Sequence, residues 1–90
     1  MSLFERIDTA AAATAPAGLI AADVLFEMGM RLAAGRDGAV DLVAAHMYFN
    51  LADQKGAERA AFYRQEMADQ MSKSEIAKAL RAAREWLTLH

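Results

Sequence analysis

The chain has 90 residues, a formal net charge of −2 and no cysteine. Because domains typically run from ~100 to ~150 residues, this length allows one small domain. The 10 basic and 12 acidic residues are interleaved, whereas a nucleic-acid ligand calls for a basic stripe, so we expect no nucleic-acid partner. The lack of cysteine excludes disulfides and thiolate metal sites, and it suits a reducing, cytoplasmic location.

Residues 1–18 are predicted to form either an N-terminal helix or a mobile tail. Ser2 and Glu5 have the spacing of a capping box, and Pro16 ends the alanine-rich run that follows. The longest uncharged segment, residues 9–22, has 14 residues, and a membrane span needs ~20. We therefore expect no membrane insertion, although peripheral attachment to a membrane complex through residues 1–18 stays open.

A helix is predicted over residues 19–34, closed by a turn at Gly35. Glu27 precedes Arg31 by four residues, the favourable order for an ion pair on a helix surface. Gly29 inside this helix costs about 1 kcal/mol against alanine, which indicates close approach of a neighbouring helix. The predicted buried stripe consists of Leu25, Met28 and Leu32.

The segment "DLVAAHMYFNLADQKG", Asp41 to Gly56, is predicted to be the central helix. It is apolar over much more than the ~100° of circumference that a surface helix shows, so it should lie between other helices. His46 and Asn50 fall on its narrow polar arc, where we expect a polar edge pair that bonds neighbouring backbone. Lys55 and Gly56 together are typical of a helix end.

Two more helices are predicted in the C-terminal third. The first spans residues 57–70 and leaves Phe62 outside its buried stripe of Ala60, Tyr63, Met67 and Met71. The second begins with a capping box between Ser72 and Glu75 and continues to Leu87. Its predicted seam consists of Ile76, Leu80, Ala83 and Leu87, with Ala79 and Trp86 beside it.

From about Ala22 to Trp86 the chain resembles the Sel-one-like repeat, a relative of the tetratricopeptide repeat. The helix after Ser72 resembles the closing helix of bacterial members. Asp37 stands where a second glycine is common, and Tyr48 where tryptophan is frequent. The matching positions are Gly29, Gly35, Asp41, Ala45, Tyr48, Phe49, Ala52, Gly56 and Ala60.

The resemblance implies an all-α fold, a short right-handed stack of helical hairpins with four to five helices. Residues 19–90 would form a single repeat domain with a C-terminal capping helix. Stacked repeats usually need about three units for a continuous core, so a solitary unit must be closed by flanking helices, by self-association or by a partner. Family members mostly act as adaptors that organise protein complexes, and this role is the one implied here.

No constellation in the sequence points to catalysis, a metal or a cofactor. His46 and His90 are the only histidines and lie far apart in sequence, whereas a metal site needs three or four suitably spaced ligands. Ser72 and Ser74 are better explained as helix caps than as nucleophiles. No glycine-rich loop precedes a Lys-Ser or Lys-Thr pair. We therefore do not expect an enzyme.

The favoured hypothesis is a non-catalytic interaction module, either an adaptor or a small accessory subunit. Its partner would be another protein or a second copy in a homodimer. A surface phenylalanine ringed by charges, or a methionine and aromatic patch, is suited to such contacts. The alternative is a regulatory domain that binds a small apolar ligand between the central helices. The candidate partner-binding residues are Phe26, Met30, Phe62 and Trp86.

Overall fold

The computed structural model describes residues 20–89. Within that part of the chain four helices follow one another and no strand occurs, so the fold is all-α, as predicted. The expectations for residues 1–18, including the capping box at Ser2, lie outside the described residues. The helices are α1 (Ala22–Ala34), α2 (Leu42–Gln54), α3 (Ala60–Ala68) and α4 (Lys73–Leu89).

Helix α2 is the centre of the stack, because it packs against α1, α3 and α4. This arrangement confirms the prediction that the nearly all-round apolar segment lies between other helices. Tyr48 and Phe49 are adjacent in sequence but contact different helices. Phe49 is fully buried between α1 and α3, and Tyr48 contacts Trp86 on α4. The buried residues of α2 are Ala45, His46, Met47, Phe49, Leu51 and Ala52.

The ends of α1 and α2 are fixed by local chemistry. Gly35 adopts the left-handed conformation with φ 69° and ends α1, as the sequence predicted. The Asp41 carboxylate caps α2 by accepting a hydrogen bond from the Ala44 amide at 3.0 Å. At the other end of α2, Gly56 has φ 98°, again a conformation that favours glycine.

The capping box of α4 is present. The Ser72 hydroxyl accepts from the Glu75 amide at 3.1 Å, and the Glu75 carboxylate accepts from the Ser72 amide at 2.8 Å. Helix α4 continues to Leu89, two residues beyond the predicted end. Helix α3 is shorter than predicted, since residues 57–59 form a turn before it.

The core-facing side of α1 includes Leu25 and Leu32 of the predicted stripe but not Met28. Its buried residues are Leu25 and Gly29, and Met28 belongs to neither buried core cluster. A Cβ on Gly29 would lie 2.7 Å from Cε1 of Phe49, so the missing side chain lets α1 rest on that ring. The predicted close approach at Gly29 is confirmed, and it centres the buried face on Leu25 and Gly29.

The predicted seam of α4 is also wrong in part. Ala79 and Ala83 are buried, whereas Leu80 is 40% exposed and Leu87 43% exposed. The alanines allow α4 to approach α2 closely, and the larger leucines are left on the flank of that contact. Trp86 packs at the edge of the same contact.

The surface ion pairs of α1 differ from the expected Glu27–Arg31 pair. The Arg31 Nε lies 3.0 Å from Asp37 Oδ2, and Arg36 Nη1 lies 3.2 Å from Glu27 Oε2. The turn at Gly35 brings the next two residues back beside the last turns of α1, where each finds a partner. All four side chains are about half exposed or more, so these pairs contribute little to stability.

Candidate interaction surface

The outer surface of α3 carries the most exposed aromatic side chain in the described part of the chain. Phe62 is 62% exposed. Its ring meets the edge of Tyr63 at a centroid distance of 5.2 Å and an interplanar angle of 88°. At 100° per residue Phe62, Glu66 and Asp69 share one helix face. We call the exposed side chains Glu58, Phe62, Gln65, Glu66 and Asp69 the Phe62 face.

Beneath this face lies a closed aromatic cluster. Phe26, Phe49 and Tyr63 stand 5.6 to 5.7 Å apart by ring centroids and join α1, α2 and α3. The guanidinium of Arg59 lies 5.4 Å from the ring centroids of both Phe26 and Tyr63 and donates to the Tyr63 hydroxyl at 3.1 Å. Tyr63 therefore supports Phe62 from a rigid, packed position.

The other three candidate residues are half-buried. Phe26 belongs to the aromatic cluster and packs against both hydrophobic cores. Met30 packs against the core formed by Ala45, Phe49 and Met67. The stripe of α1 that contains these two residues is thus a seam with α2 and α3. Trp86 meets Tyr48 edge to face at 6.2 Å, with an interplanar angle of 78°.

A cleft of about 460 Å³ opens beside the aromatic cluster. Phe26 forms its apolar side, while Arg59 and Asp23 contribute opposite charges. The remaining lining comes from the first residue of α1 and from the turn between α2 and α3. The cleft is open to solvent, so it can receive part of a ligand or a side chain at its apolar wall. Its lining residues are Ala22, Asp23, Phe26, Gly56, Ala57, Glu58 and Arg59.

Sequence reasoning missed a second exposed apolar surface, on α4. Leu80 and Leu87 were assigned to the seam, and Leu89 at 79% exposure was not singled out. Arg84 lies on the same face as Leu80 and Leu87, since their spacing is i, i+4 and i+7. We call the exposed side chains Lys73, Leu80, Arg84 and Leu87 the Leu80 face. The i, i+4 spacing of Ala79 and Ala83 could have indicated that the alanines form the buried face and that the leucines beside them are exposed.

The polar arc of α2 is arranged differently from the expected pair. His46 is only 3% exposed and its Nδ1 has no hydrogen-bond partner, so this atom does not make the expected bond to neighbouring backbone. The Asn50 side-chain oxygen instead accepts from Arg64 at 3.3 Å, and Arg64 also contacts Asp53 at 2.9 Å. Burial lowers the pKa of His46 below its ordinary value, and the nearby positive charge of Arg64 adds to the effect.

Groups suited to metal binding are not gathered anywhere in residues 20–89. No cluster of three or more histidine, cysteine, aspartate or glutamate side chains could hold an ion there. Among the helices of the same region, none is both long enough and apolar enough to cross a membrane.

Comparison with protein-family models, with curated proteins and with solved structures finds no match for the chain. The resemblance to the Sel-one-like repeat therefore rests on the residues themselves. Several of the matching positions have a clear physical role in the fold. Ala45, Ala52 and Ala60 are fully buried at helix contacts, and Gly29 lies against Phe49.

Proposed function

We propose that the chain is a non-catalytic protein-interaction module, an adaptor or small accessory subunit, that binds through exposed apolar helix faces. The observation that carries the proposal is Phe62, a large aromatic side chain that is 62% exposed and ringed by polar residues. Aromatic residues on a rigid support are frequent anchors of protein interfaces. The cluster of Phe26, Phe49 and Tyr63 provides that support.

The fold does not need Phe62 for its own packing. Ala60 and Met67 on the opposite face of α3 are buried, and neither core cluster includes Phe62. Its apolar area is therefore available to a partner. Phe26 extends the surface through the adjoining cleft, while Met30 and Trp86 contribute by holding the helices in place.

The proposal extends to the family, the Sel-one-like repeat, and to the location, the cytoplasm. A single Sel-one-like repeat unit of the bacterial type would leave helix faces open for another protein, as the outer faces of α3 and α4 are. A cytoplasmic location is consistent with the absence of cysteine from the sequence. A partner could also hold residues 1–18, including one within a membrane complex.

Affinity capture from the native cell tests the proposal, with wild type compared with Phe62→Glu. We expect the charged residue to abolish capture and to leave the helical circular dichroism unchanged, because the side chain is outside the core. Ala61→Glu is the matched control, since Ala61 is exposed and adjacent but lies on a different side of α3. Equal capture by wild type and Phe62→Glu would remove the Phe62 face from the binding surface.

The second candidate function is a regulatory domain that binds a small apolar molecule. The cleft beside Phe26 favours it, because about 460 Å³ is within the usual range of small-molecule sites. The space between the central helices is filled by Phe49, so the ligand would sit at the rim of the stack. A metabolite that raises the melting temperature of wild type, and not of Phe26→Ala relative to its own baseline, would support this function.

A further inference from the structure

We propose that the partner of the Phe62 face is the Leu80 face of a second copy of this chain. The inference rests on the proposed function and names the partner. Two observations carry it: the two faces have opposite charge, and on each face an exposed apolar residue is followed four residues later by a charged one. Phe62, Glu66 and Asp69 repeat at i, i+4 and i+7, as do Leu80, Arg84 and Leu87.

The Phe62 face carries a net negative charge. Glu58, Glu66 and Asp69 are exposed on it. The two nearby cations are occupied elsewhere, because Arg59 lies over the aromatic rings of Phe26 and Tyr63, and Arg64 pairs with Asp53. The acidic groups on this face are therefore not paired with Arg59 or Arg64.

The exposed side chains of helix α4 carry a net positive charge. Lys73, Lys78, Arg81 and Arg84 are exposed, against two glutamates. One of these, Glu75, is held in the capping box by the Ser72 amide. The Leu80 face itself carries two cations and no acid, which is the charge that the Phe62 face requires.

The common spacing allows one specific contact when the middle residues of the two faces are aligned. When two helix faces with residues at i, i+4 and i+7 are laid together, the middle residues meet whether the helices run parallel or antiparallel. Glu66 therefore meets Arg84 of the second copy, and Phe62 lies on Leu80 or Leu87. Within the described residues neither the Glu66 nor the Arg84 side chain has an ion-pair partner, so both are available for this contact.

The contact area of one helix pair is small, so the association should be weak. Interfaces below ~1,200 Å² are typical of transient complexes. We expect concentration-dependent sedimentation with a dissociation constant of about 10 to 1,000 μM. It should weaken as salt is raised from about 0.05 M to about 0.5 M, because the charges are exposed.

A charge exchange tests the proposal by sedimentation equilibrium of the full chain. Glu66→Arg and Arg84→Glu should each weaken self-association at least about tenfold, because like charges then meet. The equimolar mixture of the two variants should regain association, as should the Glu66→Arg/Arg84→Glu double variant. Lys78→Glu is the control, since it makes a similar charge change away from the Leu80 face. Circular dichroism verifies that each variant is folded.

A wild-type chain that stays monomeric at about 1 mM would overturn the proposal. So would single variants that associate as wild type does, or a mixture that fails to recover. If the wild type is monomeric but captures a different protein through Phe62, the second copy is the wrong partner and the proposed function stands. If Phe62→Glu captures as well as wild type, the proposed function of that face fails separately.

Discussion

Gly29 on α1 lies directly against the ring of Phe49 on α2. A Cβ at position 29 would come within 2.7 Å of Cε1 and 2.8 Å of Cδ1 of that ring. Phe49 is fully buried among α1, α2 and α3, so it has little room to move away. This contact sets how closely the first hairpin closes, and with it the position of the aromatic cluster beneath Phe62.

Gly29→Ala should destabilise the fold. The overpacking costs about 1 to 3 kcal/mol, and the better helix propensity of alanine offsets at most about 1 kcal/mol of it. Urea unfolding followed by circular dichroism measures the difference. Adding Phe49→Leu should relieve the clash, so the double variant should be more stable than the sum of the two single changes predicts. If the two changes in free energy of unfolding are strictly additive, the result would contradict a contact between Gly29 and Phe49.

The capping box at α4 gives a second stability prediction. Ser72→Ala should cost about 1 kcal/mol, because the Glu75 amide loses its acceptor at the helix end. Ser74→Ala is the matched control in the same turn, and we expect a change within about 0.5 kcal/mol. Equal losses in the two variants would show that the box contributes nothing specific.

The buried face of α4 makes a third prediction. Ala83→Leu should destabilise by about 1 to 3 kcal/mol, because the larger side chain must enter the contact between α2 and α4. Leu80→Gln should cost less than about 1 kcal/mol, since Leu80 is 40% exposed. A larger loss in free energy of unfolding for Leu80→Gln than for Ala83→Leu would instead support the predicted seam, in which Leu80 is buried.

His46 should make the fold sensitive to mild acid. Its pKa is lowered in the folded state by burial and by Arg64, so the unfolded chain binds the proton more readily. The free energy of unfolding should be at its full value above about pH 6.5 and fall as the pH drops below it. Urea unfolding at about pH 7.5 and about pH 5.5 measures the loss.

Two variants assign that acid sensitivity. His46→Leu should remove most of the loss between the two pH values, because an apolar side chain has no proton to take up and no unpaired nitrogen. His90→Ala removes the only other histidine and should keep the loss. Acid sensitivity that persists in His46→Leu would assign it to other groups.

Features set by neighbours in the sequence could be predicted well. Gly35 and Gly56 end helices, and Ser72 and Glu75 start one, because each acts through the backbone within a few residues. The central position of α2 also followed from its all-round apolar surface. These features were sufficient to predict an all-α stack with the segment around Phe49 at its centre.

Features set by which helices meet could not be predicted as well. On α4 the buried alanines and the exposed leucines occupy adjacent arcs of the helix. Judged by side-chain size alone, the leucines were the better candidates for the buried positions. Contact with α2 selects Ala79 and Ala83 because small residues allow close approach. The same limit applied to His46, which was expected at a polar edge and is only 3% exposed in the packed helices. Of the candidate surface, Phe62 was found from its charged neighbours and Leu80 was missed.

Side-chain footprinting with hydroxyl radicals tests most directly whether the Phe62 face is a binding surface. Labelling of Phe62 should be high in the dilute chain and should fall when the chain is concentrated or bound to its captured partner. Val40, 55% exposed outside both named faces, should label equally in every sample and serves as the internal control. Equal labelling of Phe62 in the free and bound samples would contradict the account.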